Sequence, residues 1–165
     1  IEVRGSVEGT ASDGTEFEIK YSLELSPQWE IQHVIVRDVK NEGNELDLQR
    51  ENGQWFDVDG LHLEEFDDVE YVDLSFTPLT NTLPIKRLHL EGNEPQKIDV
   101  LYIELPAFSF QRAEQYYARL GKHTYRYYEA KAPDSVADLV VDDDGLVLIY
   151  PGLFTSAATA AGAEG

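Results

Sequence analysis

Apolar and polar residues alternate along most of the chain. Phe17, Ile19, Tyr21, Leu23 and Leu25 interleave with Glu18, Lys20, Ser22 and Glu24, which predicts a strand with one wet face. Trp29–Val39 alternates too, with Trp29, Ile31, His33, Ile35 and Arg37 on one side and Gln32, Val34, Val36 and Asp38 on the other. Neither side is cleanly apolar, so both are expected to touch something. Leu46 and Leu48 lead through Arg50 to Asn52-Gly53, a pair that marks a tight hairpin turn. Gln54–Asp59 is the return strand, ended by Gly60.

Further strands are predicted over Val69–Phe76, Ile85–Leu90, Ile98–Leu105, Thr124–Ala130, Leu139–Val141 and Leu146–Tyr150. Pro78 and Pro84 make the stretch between the first two irregular or edge-like. Gly92-Asn93 reads as a turn, and Pro106 stops the strand before it. One helix is expected over Phe110–Leu120, with Ala113, Tyr116, Tyr117 and Leu120 near one face. The class is therefore all-β, mostly antiparallel, with at most one or two short helices. Residues 1–154 are expected to form a single β domain, and the Ala/Gly-rich segment 155–165 a flexible tail.

An internal duplication would simplify this pattern. Asp47-Leu48 leads to Gly53 and Gly60-Leu61; Asp138-Leu139 leads to Gly145 and Gly152-Leu153. Two such β units could close a core against one another; a chance match is the rival reading.

Charge changes the picture most. Asp and Glu total 32 against 13 Lys and Arg, a net charge of −19. Such a surface repels phosphate backbones, so nucleic acid is not an expected partner. The carboxylates are dispersed, as in salt-loving proteins whose self-repulsion is screened by salt; an ordinary acidic cytosolic protein is the alternative. No apolar run is long enough for a membrane span. No Cys is present, so thiolate catalysis and disulfides are excluded, and a cytoplasmic location is the simplest expectation. The chain opens on Ile1 and contains no Met, so the natural start is expected upstream.

Catalytic patterns are missing. His33, His62, His89 and His123 show no metal-ligand spacing, and no metal or cofactor is expected. Asp142-Asp143-Asp144-Gly145 resembles half a calcium loop but fits a β-turn with solvated carboxylates better. Asp73 and Arg87, each embedded among apolar residues, could pair across a sheet. Such a pair either satisfies two charges or orients a polar head group. Trp29, Trp55, Tyr125 and Tyr127 offer flat apolar faces with hydrogen-bonding tips, suited to an amphiphile or to the rim of an ordinary β core.

Asp68–Leu88, DVEYVDLSFTPLTNTLPIKRL, resembles the signature block of the "putative glycolipid-binding" family of small bacterial and archaeal proteins. The resemblance extends to Trp29, to Gly53-Gln54-Trp55, to Tyr125-Arg126-Tyr127, and to Gly145–Val147 with Tyr150–Phe154. Lys86 stands where the family tends to have Arg, and Leu79 where Phe is common. The resemblance implies a spiral β-roll with a curved, half-barrel-like sheet around an apolar cavity, and no reaction. The expected function is thus a non-catalytic carrier of a glycolipid or other amphiphile. Trp29, His33, Trp55, Tyr125 and Tyr127 would form the wall, and Asp73, Thr80, Asn81 and Arg87 would meet the head group. An interaction module, as a homodimer, and a glycoconjugate hydrolase are the alternatives.

Overall fold

The computed structural model describes residues 1–11, 13–157 and 159. Part of the expected tail (158 and 160–165) lies outside the described residues. Elsewhere the molecule is all-β and mostly antiparallel. Its strands are β1 (Glu2–Thr10), β2 (Glu16–Leu25), β3 (Ile31–Asp38), β4 (Glu45–Glu51), β5 (Gln54–Asp57), β6 (Tyr71–Leu74), β7 (Gln96–Glu104), β8 (Ser109–Arg119), β9 (Thr124–Glu129), β10 (Ala137–Val141), β11 (Val147–Tyr150) and β12 (Phe154–Thr155). A short α-helix, α1, spans Thr82–Arg87. The strands form a five-stranded sheet, β1-β2-β3-β4-β5, and a seven-stranded sheet, β12-β11-β10-β9-β8-β7-β6. Two compact units can be described: unit 1 comprises residues 1–77 and 101–112, and unit 2 residues 78–100 and 113–165.

Unit 1 holds the five-stranded sheet. Ile19, Leu23, Val34, Val36 and Leu48 are buried on one face, as the alternation in β2 requires. The two-faced look of Trp29–Val39 has a local cause. The β2–β3 register places His33 opposite Glu24 but Ile31 opposite Leu25. Gln32 is therefore a bulge residue that shifts the phase of the strand by one position. Ile31 and Val34 both face inward because of it. Asn52 and Gly53 turn with φ of 52° and 85°, the left-handed pair that a two-residue hairpin demands. Gly5 and Gly9 lie opposite Tyr21 and Phe17, whose rings cover them; a Cβ on Gly9 would sit 2.6 Å from Phe17 Cζ. Trp55 is fully buried. Its Nε1–H and the Nε–H of Arg50 both donate to the Val69 carbonyl, at 2.9 and 3.0 Å.

Two expectations fail in informative ways. Phe110–Leu120 is the strand β8, not a helix. Gln115 is buried alongside Tyr117, while Tyr116 stacks on Tyr128 with centroids 4.9 Å apart. With a polar residue inward and aromatics on both faces, the period of two is hidden. The second failure is Ile85–Leu90, read as a strand. Pro78–Asn81 is a 3-10 helix that runs directly into α1, so Arg87 is helical. Pro78 and Pro84 both occupy first turns, where no intrahelical N–H is needed, and Lys86 and Arg87 close the last turn, where cations suit the negative end.

Local features repeat between the units. Gly53, Gly60, Gly145 and Gly152 all adopt positive φ, from 77° to 85°. Leu48 and Leu139 are buried. Asp47 and Asp138 each bond a basic side chain on the preceding strand, His33 and Arg126 respectively.

Candidate functional site

The segment Pro78–Arg87 organises unit 2. It buries Thr80, Asn81, Thr82, Leu83, Pro84 and Ile85. Buried amides need partners, and Asn81 finds one: its Nδ2 donates to the Tyr117 hydroxyl at 2.8 Å. Tyr117 on β8 lies opposite Tyr127 on β9, with ring centroids 5.1 Å apart. Tyr127 meets Tyr150 edge-on at 6.0 Å, and Tyr150 meets Phe154 at 6.2 Å. An aromatic row thus leads from the Asn81 amide to the end of β11. The hydroxyl of Thr82 is buried with no hydrogen-bond partner among the described residues.

Beside α1 is a cleft of about 230 Å³. Ile85, Tyr125 and Val141 give it apolar wall; Lys86, Arg119, Lys122 and His123 bring basic groups; Asp142–Asp144 bring carboxylates. The Asp142–Gly145 loop is a built turn. Asp142 Oδ1 accepts the N–H groups of Asp144 and Leu146 at 2.9 and 2.8 Å. The run thus forms a turn with the Asp143 and Asp144 side chains exposed, and no group of three or more His, Asp or Glu residues that could hold a metal occurs among the described residues. Gly145, at φ 78°, faces α1: a Cβ there would lie 3.4 Å from Ile85 Cγ2. Lys122 Nζ donates to Asp143 at 2.8 Å, and this bond, with the charges of Lys122 and His123, holds the Asp143 carboxyl below its ordinary range. Arg126 and Asp138, directly opposed on β9 and β10, form a bidentate pair at 2.8 and 2.9 Å.

The residues singled out from sequence divide between the units. Thr80, Asn81, Arg87, Tyr125 and Tyr127 belong to unit 2; Trp29, His33, Trp55 and Asp73 belong to unit 1. Within unit 2, Asn81 and Tyr127 meet through Tyr117, and Tyr125 lines the cleft. Thr80 is buried on the 3-10 helix. Within unit 1, Trp29 is half-buried in a loop at φ 64°, and Trp55 is committed to Val69. Asp73 is buried in β6. His33 lies on the more exposed side of its sheet and donates from Nε2 to Asp47 at 2.7 Å. A broad open groove of about 630 Å³ crosses β1–β3 nearby, with Arg4, Lys20, Ser22, Glu24, Ile35 and Arg37 among its walls. Tyr117, which bonds Asn81, and Lys122 and His123, which line the cleft, were not singled out from sequence as candidates. The only signal for them was proximity to the Tyr125-Arg126-Tyr127 element.

These features define an all-β protein in which residues from separate blocks of the sequence meet beside a short helix. The chain belongs to the family described as "Putative glycolipid-binding", which matches residues 1–156. It is also similar to the crystal structure of a DUF1089 family protein from Pseudomonas aeruginosa. The two share 30% identity and a TM-score of 0.84 over 94% of this chain and 91% of that one. No curated protein matches the chain.

Proposed function

We propose that the protein binds an amphiphile of the glycolipid class without catalysis, and that the unit 2 cleft receives the polar head. One observation carries this reading. Three blocks that are far apart in sequence supply its walls: Ile85 and Lys86 from TNTLPIKRL, Tyr125 from the YRY element, and Gly145 from the turn before β11. Basic groups, carboxylates and an apolar wall within one small cleft suit a head group rich in hydroxyls and attached to an apolar body. The carboxyls of Asp138 and Asp143 are pushed down by Arg126 and Lys122, whereas a general acid needs its carboxyl pushed up.

Native mass spectrometry of protein purified from its own host tests the reading, followed by titration with glycolipid-containing vesicles. Co-purified lipid and saturable binding, weakened by Lys86→Glu and Lys122→Glu, are expected. Lipid-free protein that ignores glycolipid vesicles would overturn it.

A further inference from the structure

The edge of the five-stranded sheet is built to pair with itself. β1 is nine residues long and terminates the sheet. Ile1 and Leu25 exchange both backbone hydrogen bonds, N to O at 2.7 and 2.8 Å. The β1–β2 register is unbroken from Glu2↔Glu24 to Thr10↔Glu16. Odd-numbered residues of β1 therefore bond to β2, and the N–H and C=O groups of Glu2, Arg4, Ser6, Glu8 and Thr10 point away from the sheet. The side chains of these same residues are exposed. Such an edge is a template for another strand.

We propose that a second copy of this chain is that strand, paired antiparallel about a twofold axis through Ser6. Parity requires outward-pointing residues to meet one another, and charge then selects among the allowed registers. Centring on Ser6 sets Arg4 opposite Glu8 of the other copy, twice by symmetry, and Glu2 opposite Thr10. Centring on Gly5 would oppose Glu2 and Glu8. Centring on Arg4 would oppose two arginines. Centring on Val3 would also oppose Glu2 and Arg4, but it would set Val3 against Val3 and lose the valine–glycine matching of the other face, and centring on Val7 would leave Arg4 facing Thr10.

The other face of the strand agrees with this choice. In the Ser6 register Val7 stands beside Gly5 of the other copy, and Val3 beside Gly9. Those glycines are the positions covered by the Tyr21 and Phe17 rings, so large and small residues alternate across the junction. The contact is isologous, as a twofold interface requires. Opposed charges across antiparallel strands attract, and like charges repel.

Sedimentation of the full chain over a range of concentrations tests this, at about 0.3 M salt so that the net charge is screened within less than 10 Å. A reversible dimer is expected. Arg4→Glu and Glu8→Arg should each weaken it about tenfold or more, and the double charge swap should recover most of the loss, because attractive pairs are restored. Ser6→Pro removes an outward N–H without touching the bonds to β2 and should also weaken the dimer. Circular dichroism checks that each variant stays folded. A strict monomer would overturn the proposal, as would a dimer indifferent to all these changes. Failure of the double swap to recover would overturn the Ser6 register.

Discussion

The Asn81 side-chain amide donates to the Tyr117 hydroxyl at 2.8 Å, with both residues buried. This bond ties the Pro78–Arg87 segment to β8, so the signature block is first a structural device. Tyr117→Phe would leave the amide without its buried acceptor. The expected cost is about 1–3 kcal/mol of unfolding free energy, measured by urea denaturation. In a double-mutant cycle Asn81→Ala should lose most of its additional effect once Tyr117 is Phe. Additive losses would sink the coupling.

Thr82 presents the opposite case. Its hydroxyl is buried without a partner among the described residues, so it brings desolvation cost and no bond to them. Thr82→Val keeps the shape and removes the polar group. Thermal melting should show stability unchanged or raised by about 1 kcal/mol. A loss above about 1 kcal/mol would mean the hydroxyl is satisfied in solution.

Gly5 and Gly9 lack side chains because aromatic rings occupy the space. Gly5→Ala would drive a Cβ into the Tyr21 ring, which is held by Phe76 edge-on at 5.7 Å. Overpacking of this kind costs about 1–3 kcal/mol. Gly5→Ala made in a Tyr21→Ala background should cost much less, as chemical denaturation of the four proteins would reveal.

Acid should weaken the β9–β10 pairing. Hydrogen bonding by Arg126 lowers the Asp138 carboxyl from its ordinary 3.8. A group held lower in the folded state stabilises fully above the unfolded value and loses that contribution as pH falls through the folded one. The loss therefore begins near pH 4 and continues below it. Asp138→Asn should flatten that part of the stability–pH curve, matching the parent at low pH and falling slightly below it at neutral pH, the deficit being small because the pair is substantially exposed.

A net charge of −19 predicts salt dependence. Raising NaCl shortens the screening length from about 10 Å at 0.1 M to about 3 Å at 1 M, and the melting temperature should climb over that range. A flat or falling profile by calorimetry would show that self-repulsion is not a significant term in stability.

The sequence was readable where one residue type did one job. The β2 alternation and the Asn52-Gly53 turn are both realised as the pattern implies. It was unreadable where a polar residue went inward or a strand changed phase. Gln115 broke the β8 pattern by being buried, and Gln32 broke that of β3 by being extra. Pro78 and Pro84 carried the right signal, since prolines in consecutive first turns announce a helix as well as interrupt a strand. The aromatic row from Tyr117 through Tyr127 to Tyr150 depends on the sheet order β8-β9-β10-β11, which no local pattern encodes. The recurring glycines, by contrast, were visible in sequence and all prove left-handed.

The placement of Trp55 also decides what light can report. Its indole is sealed from water with its N–H bonded to Val69, while Trp29 is half-buried in a loop of the same unit. The chain has no other tryptophan. Intrinsic fluorescence is therefore an optical monitor of unit 1, with a blue-emitting and a redder-emitting component. Unit 2 has no tryptophan, so its Tyr117–Tyr127–Tyr150 row reports through the near-ultraviolet dichroism, where it adds to the aromatic residues of unit 1. Recording both channels in one titration compares unit 1 alone with the two units together, without a single engineered label.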